Sequence, residues 1–512
     1  MALQQATSEY QTDRINLVEN ASQRFYEAVP LGTSSGVVGI GIIGVMIIGG
    51  SIVGSKDIRI INCLPTLIVN SYSKEAKAQL SKRPGFSVLN TPSTEAGNAI
   101  RVWLGQGAGT KVVSAFGNTN STIYDGTTSL GAITGLARDI TETFVSTTAN
   151  LVIPSANSTA WFYPDGGTLT QIVDVDFPGN AALTTTGTFV HLDGYAFIMT
   201  TDGRIWNSDL SSLTAWTATS FISANMSPDK GVGLSTYKNK IVAFGKESIE
   251  FFENVANPVA SPLQRIPELF IRLGSPNQNL ITNIEDTIIF VASSSGGSYG
   301  VYLLENYQPK KVSYSEIDSL LSQVGINNFT ASVIRLWGKP LFILHSTNRT
   351  YIFSPEDSLW FEWSSAYPLW YKLTGDTIEN IYSISNSTNA TVVGKVFNVN
   401  QQNTQYQDNA SNFTMSIQTS KIDFGNNKRK KLARLALIGN INPSSVVNTI
   451  DVSYTDNDFL TYSATKSIDL TKTHQFLNNL GMFRRRSFLL ANSSAQSVRL
   501  EAIELDYIQG IN

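Results

Sequence analysis

One phrase recurs between about residues 112 and 393, and it constrains the fold more than any other feature of the sequence. A continuously apolar run is followed by a polar turn and a second, more aromatic run, as in Lys240–Gly245 followed by Ser248–Phe252. The copies are spaced roughly 40–50 residues apart, which is the period of propeller blades. The first runs of the seven copies are Lys111–Gly117, Leu151–Ile153, Tyr195–Met199, Lys240–Gly245, Thr287–Val291, Leu341–Leu344 and the weaker Thr391–Val393.

This repeat predicts an all-β fold containing a β-propeller of six or seven blades. A continuously apolar run is typical of a strand buried on both faces, and the second run is typical of a strand nearer the edge of a blade. Closure of the blades into a ring would hide their strand edges. The composition agrees, because charged residues make up only 15 % of the 512 residues and Ser, Thr, Asn and Gly are abundant. It is not the composition of a helical or α/β enzyme.

The flanks of the repeat differ from it in composition and period. The Gln- and Asn-rich stretch Asn398–Ser411 indicates a domain boundary, and Phe413–Phe424 then alternates between apolar and polar residues, as a half-buried sandwich strand does. Each flank is short of strands alone, so we expect both ends of the chain to build one β-sandwich platform. The expected segments are an amino-terminal arm at 1–56, platform strands at 57–94, the propeller at 95–400 and the sandwich at 401–512.

The amino-terminal arm contains an apolar stretch, Gly36–Gly54, within a region that carries no charge from Ala28 to Ser55. Its length would suffice for a membrane helix of about 20 residues. Its seven glycines among nineteen residues, mixed with β-branched residues, disfavour a helix in water. Two interpretations therefore stand, a strand or loop packed against another subunit and a membrane-inserted segment. Before it, Asp13–Tyr26 has the pattern of a short amphipathic helix.

Eight cations in two clusters of the carboxy-terminal segment form a candidate protein interface. A run of charges is often only a solvated turn. The alternative is that both clusters line one surface that meets an acidic partner or DNA, since clustered cations release counterions from phosphate. The net charge of the chain is −3, so the total does not indicate a nucleic-acid-binding domain. The candidate residues are Lys428, Arg429, Lys430, Lys431, Arg434, Arg484, Arg485 and Arg486.

No catalytic residue, cofactor site or metal site is expected from the sequence. The three histidines are far apart, and the single cysteine, Cys63, excludes an internal disulfide. Acidic residues that precede glycine, such as Asp193 and Asp202, are typical of turns. The aromatic segments Trp360–Trp363 and Tyr367–Tyr371 could bind sugars or proteins, or could pack in a core.

Several strand patterns together resemble a known family. Ile61–Pro65 followed by Lys82–Phe86 is similar to the opening of the tail-hub proteins of short-tailed bacteriophages. Lys240–Phe252 resembles their central blades, and Met482–Arg486 with Leu500–Asp506 resembles their closing strands. These are the packaged-DNA stabilisation proteins or tail nozzles, typified by gene product 10 of phage P22. The resemblance covers nearly all of the chain from residue 57, and the arm before it departs from the family.

The resemblance implies a structural protein of the virion tail and not an enzyme. Its copies would form a homo-oligomeric ring, expected to be a hexamer, that extends the DNA channel, retains packaged DNA until its ejection and needs no cofactor. The implied partners are the head-to-tail adaptor, the tailspike or tail fibre, the tail needle, and double-stranded DNA that passes without sequence-specific binding.

The alternative function is that of a glycan-binding or glycan-cleaving β-propeller, in one version anchored to a membrane through residues 36–54. That function would require aromatic side chains and carboxylates to converge at one end of the propeller. The acidic residues of the repeats are placed instead where turns are expected.

Overall fold

Antiparallel β-strands dominate the structure, which confirms the all-β propeller fold. The computed structural model describes residues 11–16, 59–69, 76–103, 109–145, 148–293, 297–347, 349–375, 380–402, 404–424, 427–439 and 446–509. The helix α1 spans Ser315–Val324, and 3-10 turns lie at Pro267–Leu269, Gln278–Leu280 and Ile326–Asn328. The strands that precede the blades are β1 (Gln11–Asn16), β2 (Arg59–Ile61), β3 (Cys63–Val69), β4 (Ala76–Lys82) and β5 (Ser87–Asn90).

The remaining strands follow in three groups. The first group is β6 (Gly97–Trp103), β7 (Lys111–Phe116), β8 (Ser121–Asp125), β9 (Thr128–Ile133), β10 (Thr141–Thr143), β11 (Asn150–Pro154), β12 (Ala160–Pro164), β13 (Thr170–Gln171), β14 (Thr185–Leu192), β15 (Tyr195–Thr200), β16 (Arg204–Ser208), β17 (Trp216–Ser223), β18 (Gly231–Tyr237), β19 (Lys240–Gly245), β20 (Ile249–Asn254) and β21 (Leu263–Arg265). The second is β22 (Ile281–Ile284), β23 (Thr287–Ser293), β24 (Tyr299–Glu305), β25 (Gln308–Lys311), β26 (Thr330–Leu336), β27 (Lys339–His345), β28 (Thr350–Ser354), β29 (Leu359–Trp363), β30 (Lys372–Gly375), β31 (Asn380–Ile384) and β32 (Val396–Asn400). The third is β33 (Gln407–Asp408), β34 (Ser411–Asn412), β35 (Met415–Gln418), β36 (Lys430–Gly439), β37 (Thr449–Thr455), β38 (Lys466–Asp469), β39 (Phe476–Asn478), β40 (Met482–Phe483), β41 (Ser487–Asn492) and β42 (Arg499–Gln509).

The chain divides into two units that alternate along the sequence. The propeller unit comprises Phe86–Ile352 and Tyr367–Asn403. The second unit, here called the platform, comprises the described residues within Met1–Gly85, Phe353–Ala366 and Thr404–Asn512. Phe353–Ala366, which we expected in the propeller, is therefore a platform segment, because its strand β29 pairs with β2.

Seven sheets form the blades of the propeller. Five are antiparallel sheets of four consecutive strands, namely β6–β9, β10–β13, β14–β17, β18–β21 and β22–β25. The sixth contains β26, β27 and β28, and the seventh has the order β30-β31-β32-β5. In the first six blades the second strand is the apolar run of the sequence, and strands such as β11 and β27 are buried almost throughout. The apolar runs therefore mark the blade interiors, as predicted.

The ring is closed by a strand from the beginning of the propeller. β5 pairs antiparallel with β32, with Val88 opposite Phe397, and so completes the last blade rather than the platform, where the 57–94 boundary had placed it. Ile100, Val102 and Phe116 of the first blade then pack against Ile384 of the seventh. Closure of this kind leaves no unpaired face between the first and last blades.

The last repeat is displaced from the position that the sequence predicted. Thr391–Val393 lies in a turn, and the strand expected there is β31, at Asn380–Ile384. Asn389 accounts for the turn, because its backbone carbonyl accepts hydrogen bonds from the N–H groups of Val392 and Val393. The apolar pair therefore closes a loop before β32 instead of forming the blade interior.

Truncation of Ile384 should test the closing contact. Ile384→Ala removes buried apolar volume where the first and seventh blades meet, and such a cavity costs about 2–5 kcal/mol of unfolding free energy. Val173 is 75% exposed, so Val173→Ala should change stability by less than about 0.5 kcal/mol. Denaturant unfolding monitored by tryptophan fluorescence measures both. Equal stability of the two variants would show that the ring does not depend on this contact.

Strands from both ends of the chain build the platform, as we expected. β2 pairs with β35, and β4 pairs with β42. One sheet has the order β3-β4-β42-β36-β39, with β40 also on β36, and the platform part of the second has the order β29-β2-β35-β41-β37-β38. β1 pairs with β42, so the helix expected at Asp13–Tyr26 is wrong for Asp13–Asn16. The rest of that segment and the apolar stretch Gly36–Gly54 lie outside the described residues.

Asn62 is the corner at which the chain passes from one platform sheet to the other. It separates β2 from β3, is fully buried, and has a φ of 57°, a left-handed conformation that asparagine tolerates better than most residues. Its Nδ2 donates to Ser364 Oγ at 2.9 Å and to the Thr414 carbonyl at 2.7 Å. Its Oδ1 accepts from Arg83 Nε at 2.8 Å. The corner is thus fixed by Arg83 and by two segments that lie more than three hundred residues away in sequence.

Arg83 is completely buried and satisfies all of its hydrogen-bond donors. Besides the bond from Nε to Asn62, its two terminal nitrogens donate to both carboxylate oxygens of Asp408, at 3.0 and 2.5 Å. The same nitrogens also donate to the carbonyls of Pro84 and Ser364. A guanidinium has five N–H groups, and all five are used. This complete pairing offsets the cost of burying the charge.

Lys82 is the second buried cation of this region. Its Nζ donates to Asn492 Oδ1 at 3.0 Å and to the Ser494 carbonyl at 2.5 Å. The ring of Phe413 lies 4.8 Å from this nitrogen and 3.7 Å from the Arg83 guanidinium carbon. Burial, together with the Arg83 charge, lowers the pKa of Lys82 to about 8. The folded platform therefore holds this ammonium less favourably than water does.

The lowered pKa of Lys82 makes stability depend on alkaline pH. The unfolded chain keeps this proton up to about pH 10.4, while the folded chain releases it near pH 8. Unfolding between these values takes up a proton, so the unfolding free energy contributed by Lys82 rises with pH. We expect the wild type to gain stability relative to Lys82→Met as pH rises from 8 towards 10. Parallel stability profiles of the two proteins would contradict this.

Candidate functional site

The structure brings the two basic clusters of the platform together. β36 begins at Lys430 and pairs antiparallel with β40, with Lys430 opposite Phe483 and Lys431 opposite Met482. Arg484 follows β40 directly, and its guanidinium donates to the Asn427 carbonyl at 2.7 Å. Cations more than fifty residues apart in sequence therefore lie on neighbouring strands.

Lys430 joins the two clusters from the inside. Only 1% of its surface is exposed, and its Nζ donates to the carbonyls of Lys428 at 2.9 Å and Arg484 at 3.1 Å. Desolvation lowers its pKa, Asp423 acts in the opposite direction, and the Arg484 charge lowers it further. Lys430 therefore anchors the loops and does not present its charge to a partner.

Arg486 is also an internal residue. Its guanidinium makes two bonds to the carboxylate of Asp456, at 2.7 and 2.8 Å, and one to the Leu480 carbonyl at 2.5 Å. The guanidinium carbon lies 3.7 Å from the centre of the Tyr454 ring. The expectation that all eight cations line one surface is thus corrected for Lys430 and Arg486, which are buried.

Two other cations of the set are neutralised by neighbouring carboxylates. Arg434 Nε lies 2.7 Å from Asp506, and Arg485 lies 2.7 Å from Asp458. Lys421 shares Asp458 at 3.0 Å, and its hydrogen bond, followed by the Arg485 charge, lowers the pKa of this aspartate. These pairs are partly exposed, so they contribute little to stability, but they reduce the charge available to a partner.

The other four cations of the set are exposed, and we call them the basic surface. They are Lys428, Arg429, Lys431 and Arg484. Met482 lies beside them and is 64% exposed, so the basic surface includes an apolar side chain. Clustered cations next to an exposed apolar group are suited to an acidic protein partner, because charge steers the encounter and apolar contact holds the complex.

The other candidate residues of the sequence serve the fold. Trp360, Trp363 and Trp370 are buried, so these rings belong to the cores. Asp193 and Gly194 have φ values of 49° and 82° and form the two-residue turn between β14 and β15. Asp193 is therefore positioned by turn geometry, as predicted, whereas Glu250 lies within β20 and not in a turn.

Glu250 shows how a buried acidic residue of the blades is used. It accepts from the Met226 N–H at 2.8 Å and pairs with Arg265 at 2.8 Å. Desolvation raises the pKa of Glu250, and the hydrogen bond from Met226 and the charge of Arg265 oppose this rise.

Within the described ranges, no group of three or more His, Cys, Asp and Glu side chains is arranged to hold a metal ion. No helix of the described chain has the length and apolar character needed to span a bilayer.

Comparisons with known proteins give one family and one curated relative. The model of a family described as bacteriophage P22 Gp10, β-propeller, matches residues 119–389, more than half of the chain. The tail hub protein gp10 of Salmonella phage P22 is 21% identical over 140 residues. That alignment covers 26% of this chain and 30% of the relative's length.

Solved structures of low sequence identity also align with much of the chain. PorZ, a surface component of the type-IX secretion system of Porphyromonas gingivalis, is 11% identical with a TM-score of 0.38, covering 62% of this chain and 38% of its own. Raptor of Chaetomium thermophilum is 12% identical with a TM-score of 0.39, covering 61% of this chain and 28% of its own.

Adjacent arginines allow the division between internal and surface cations to be tested. Arg486→Gln removes a buried guanidinium that bonds to the partly exposed Asp456 and to the Leu480 carbonyl, and it should lower the unfolding free energy by about 1–3 kcal/mol. Arg485→Gln removes an exposed ion pair and should change it by less than about 1 kcal/mol. Urea unfolding of both variants provides the comparison. Similar losses for the two would mean that Arg486 does not organise the loops.

Proposed function

This chain belongs to the bacteriophage P22 Gp10 β-propeller family, and from that membership we propose that it is a structural protein of a short phage tail. The match of the family model to residues 119–389, over most of the seven blades, is the observation that carries the proposal. The chain would form a homo-oligomeric ring, a hexamer, located in the virion tail. The ring would extend the DNA channel and retain packaged DNA until ejection.

The construction of the two units supports a structural role rather than an enzymatic one. The propeller closes on itself through β5 and β32, and the platform is held by buried ion pairs such as Arg83–Asp408. Acidic residues of the blades serve the fold: Asp193 lies in a turn, and Glu250 forms an internal ion pair with Arg265. Surfaces, and not a catalytic cleft, are then the parts through which the protein acts.

The proposed partners divide by their chemistry. The basic surface would contact an acidic face of the head-to-tail adaptor, where charge complementarity orients docking. Double-stranded DNA would pass through the ring without sequence-specific binding, because each added phosphate contact would strengthen binding and hinder sliding. The tailspike or tail fibre and the tail needle would attach to other faces of the ring.

A charge-removal variant tests the contact with the adaptor. Replacement of Lys428, Arg429, Lys431 and Arg484 by Ser should slow association with the isolated adaptor complex about tenfold at low salt, because charge steering is lost. It should also flatten the salt dependence of association, while leaving the fold intact, since Lys430 and Arg486 are retained. Association rates over a salt series, together with tail attachment to DNA-filled heads that lack this protein, provide the measurement.

A matched control variant removes the same charge elsewhere. Lys230, Lys238, Lys246 and Arg272 are exposed cations of the propeller unit, and their replacement by Ser should leave association unchanged. Equal slowing in both variants would indicate a general charge effect. Unchanged association of the basic-surface variant would show that these cations are only solvated. Imaging of the purified protein tests the ring itself, and a monomer under all assembly conditions would contradict it.

A further inference from the structure

Loops at one end of the propeller unit surround an open pocket of about 350 Å³. Its wall is formed by the connections β9–β10, β15–β16, β19–β20 and β21–β22 and by the first residues of β14 and β18. Pockets that bind small molecules have volumes of about 300–1,000 Å³. This pocket therefore has the size of a site for a small ligand.

The wall of the pocket is positively charged. Among the described residues that line it, Arg138 and Lys246 are the charged ones and none is acidic, while Thr201 and the side-chain amides of residues 277–279 add polar groups. By contrast, the larger cavity at the centre of the ring, of about 400 Å³, is lined by charged side chains of both signs. A cleft lined by one sign of charge concentrates ions of the opposite sign, so this pocket favours an anion.

Arg138 is half-buried and has most of its donors free. Its Nη1 donates to the Thr186 carbonyl at 3.0 Å, and across the described chain its guanidinium forms no other hydrogen bond and no salt bridge. Its Nε and Nη2 are open to solvent, so a ligand in the pocket can reach them. Desolvation lowers the pKa of Arg138, and no carboxylate opposes this effect. A guanidinium in such a place is stabilised by an anion that binds beside it.

The fold keeps open the space that the Arg138 side chain occupies. Gly187 lies where the register of β14 shifts, and its φ is 86°. A Cβ atom at this position would collide with Arg138 Cδ. The absence of a side chain at residue 187 therefore lets Arg138 lie along β14 at the wall of the pocket.

Lys246 supplies the second positive charge. It is exposed, and its carbonyl accepts from Ser293 Oγ at 2.9 Å, which fixes its backbone to the next blade. Its ammonium forms no ion pair within the described chain. Asp229 lies beside this loop, but its two oxygens accept from the Glu247 N–H at 2.7 Å and the Ser248 hydroxyl at 2.9 Å. The charge of Lys246 is thus available to a ligand.

Neutral donors complete the wall. The Thr201 carbonyl accepts from the Gly231 N–H at 3.2 Å, and the Thr201 hydroxyl has no partner among the described residues. Asn277 and Asn279 use their Oδ1 atoms, which accept from the Asn279 N–H at 3.1 Å and from Lys372 Nζ at 3.3 Å. Their amide N–H groups therefore remain for a ligand.

We propose that this pocket binds a phosphate group, as carried by a small phosphate monoester. Such a group has nearly two negative charges at neutral pH and three strong acceptor oxygens, which match two cations and several free donors. Arg138 would hold two of the oxygens through Nε and Nη2, in the paired geometry that guanidinium and phosphate favour. Lys246 and Thr201 would bond to the third oxygen. A carboxylate has only one charge and two oxygens, so it would leave one of the cations unpaired.

Three probes that share the glucose ring test the proposal on the full chain. Isothermal titration with D-glucose 6-phosphate, D-glucuronate and D-glucose at equal ionic strength compares a phosphate, a carboxylate and a hydroxyl at the same carbon. We expect the phosphate to bind at least about tenfold more tightly than glucuronate and glucose not to bind. No saturable binding of glucose 6-phosphate at millimolar concentration overturns the proposal, and so does equal affinity for glucuronate, which would indicate a general attraction of anions.

Two competitors separate the sources of a phosphate group. Displacement of glucose 6-phosphate by inorganic phosphate at the same concentration would support the site with free phosphate as its ligand, and weaker displacement would support the ester. Displacement by duplex DNA would instead indicate a contact with the nucleic-acid backbone and overturn the proposal. The site does not depend on the proposed role in the tail, and these measurements do not involve ring assembly or the adaptor.

Two variants and a control locate the ligand. Lys246→Gln removes an exposed charge and should weaken glucose 6-phosphate binding about tenfold, as expected for loss of a charged hydrogen bond. Arg138→Lys keeps the charge but loses the paired geometry, and it should weaken binding by a similar factor. Lys238→Gln, a change at an exposed lysine bonded to Asn306, should have no effect. Undiminished binding by Lys246→Gln would place the ligand elsewhere and overturn the proposal, whatever the stability of Arg138→Lys.

Discussion

The buried ion pair between Arg83 and Asp408 is the interaction on which the platform depends. Arg83 comes three residues before the propeller unit begins, and Asp408 comes five residues after it ends. The pair therefore holds together the points at which the chain first leaves the platform and last returns to it. Burying both charges is costly, and the cost is offset because every guanidinium N–H is bonded and the ring of Phe413 lies against it. Removal of either partner would leave the other charge buried and unpaired. The stability of the platform therefore depends on residues from both ends of the chain.

The sequence predicted the middle of each blade and missed its edges, for a physical reason. Central strands such as β11 and β27 are covered on both faces, and continuous burial produces the apolar run that marks them. The innermost strands face a polar cavity, and outer strands such as β13 are very short, so neither has a distinctive pattern. The last blade was misplaced because Val392 and Val393 are apolar but serve a turn. Closure by β5 could not be predicted either, because the pairing joins residues about three hundred positions apart.

The sequence located the candidate site but did not predict which of its cations are buried and which are exposed. Lys430 and Arg486 look like their neighbours in sequence, yet they are buried, while Arg429 and Arg485 are exposed. For Lys430 a signal existed, because the alternation that buries Leu432 on β36 also turns the side chain of residue 430 inward. No comparable signal marked Arg486, whose burial follows from Asp456 and Tyr454 in a distant strand and loop. Internal cations shape the loops, and the exposed cations form the basic surface.

Ring closure and the polar cavity are consequences of one geometry. The first strands of the blades lie around the axis, and the space between them is a cavity of about 400 Å³. Hydroxyl side chains on these strands bond to the backbone of the next blade, as Thr374 does with Val102. The same wall carries charged side chains of both signs, namely Lys372, Arg101, Asp139 and Glu142. The hydrogen bonds between neighbouring first strands therefore join the blades around a polar centre instead of an apolar core.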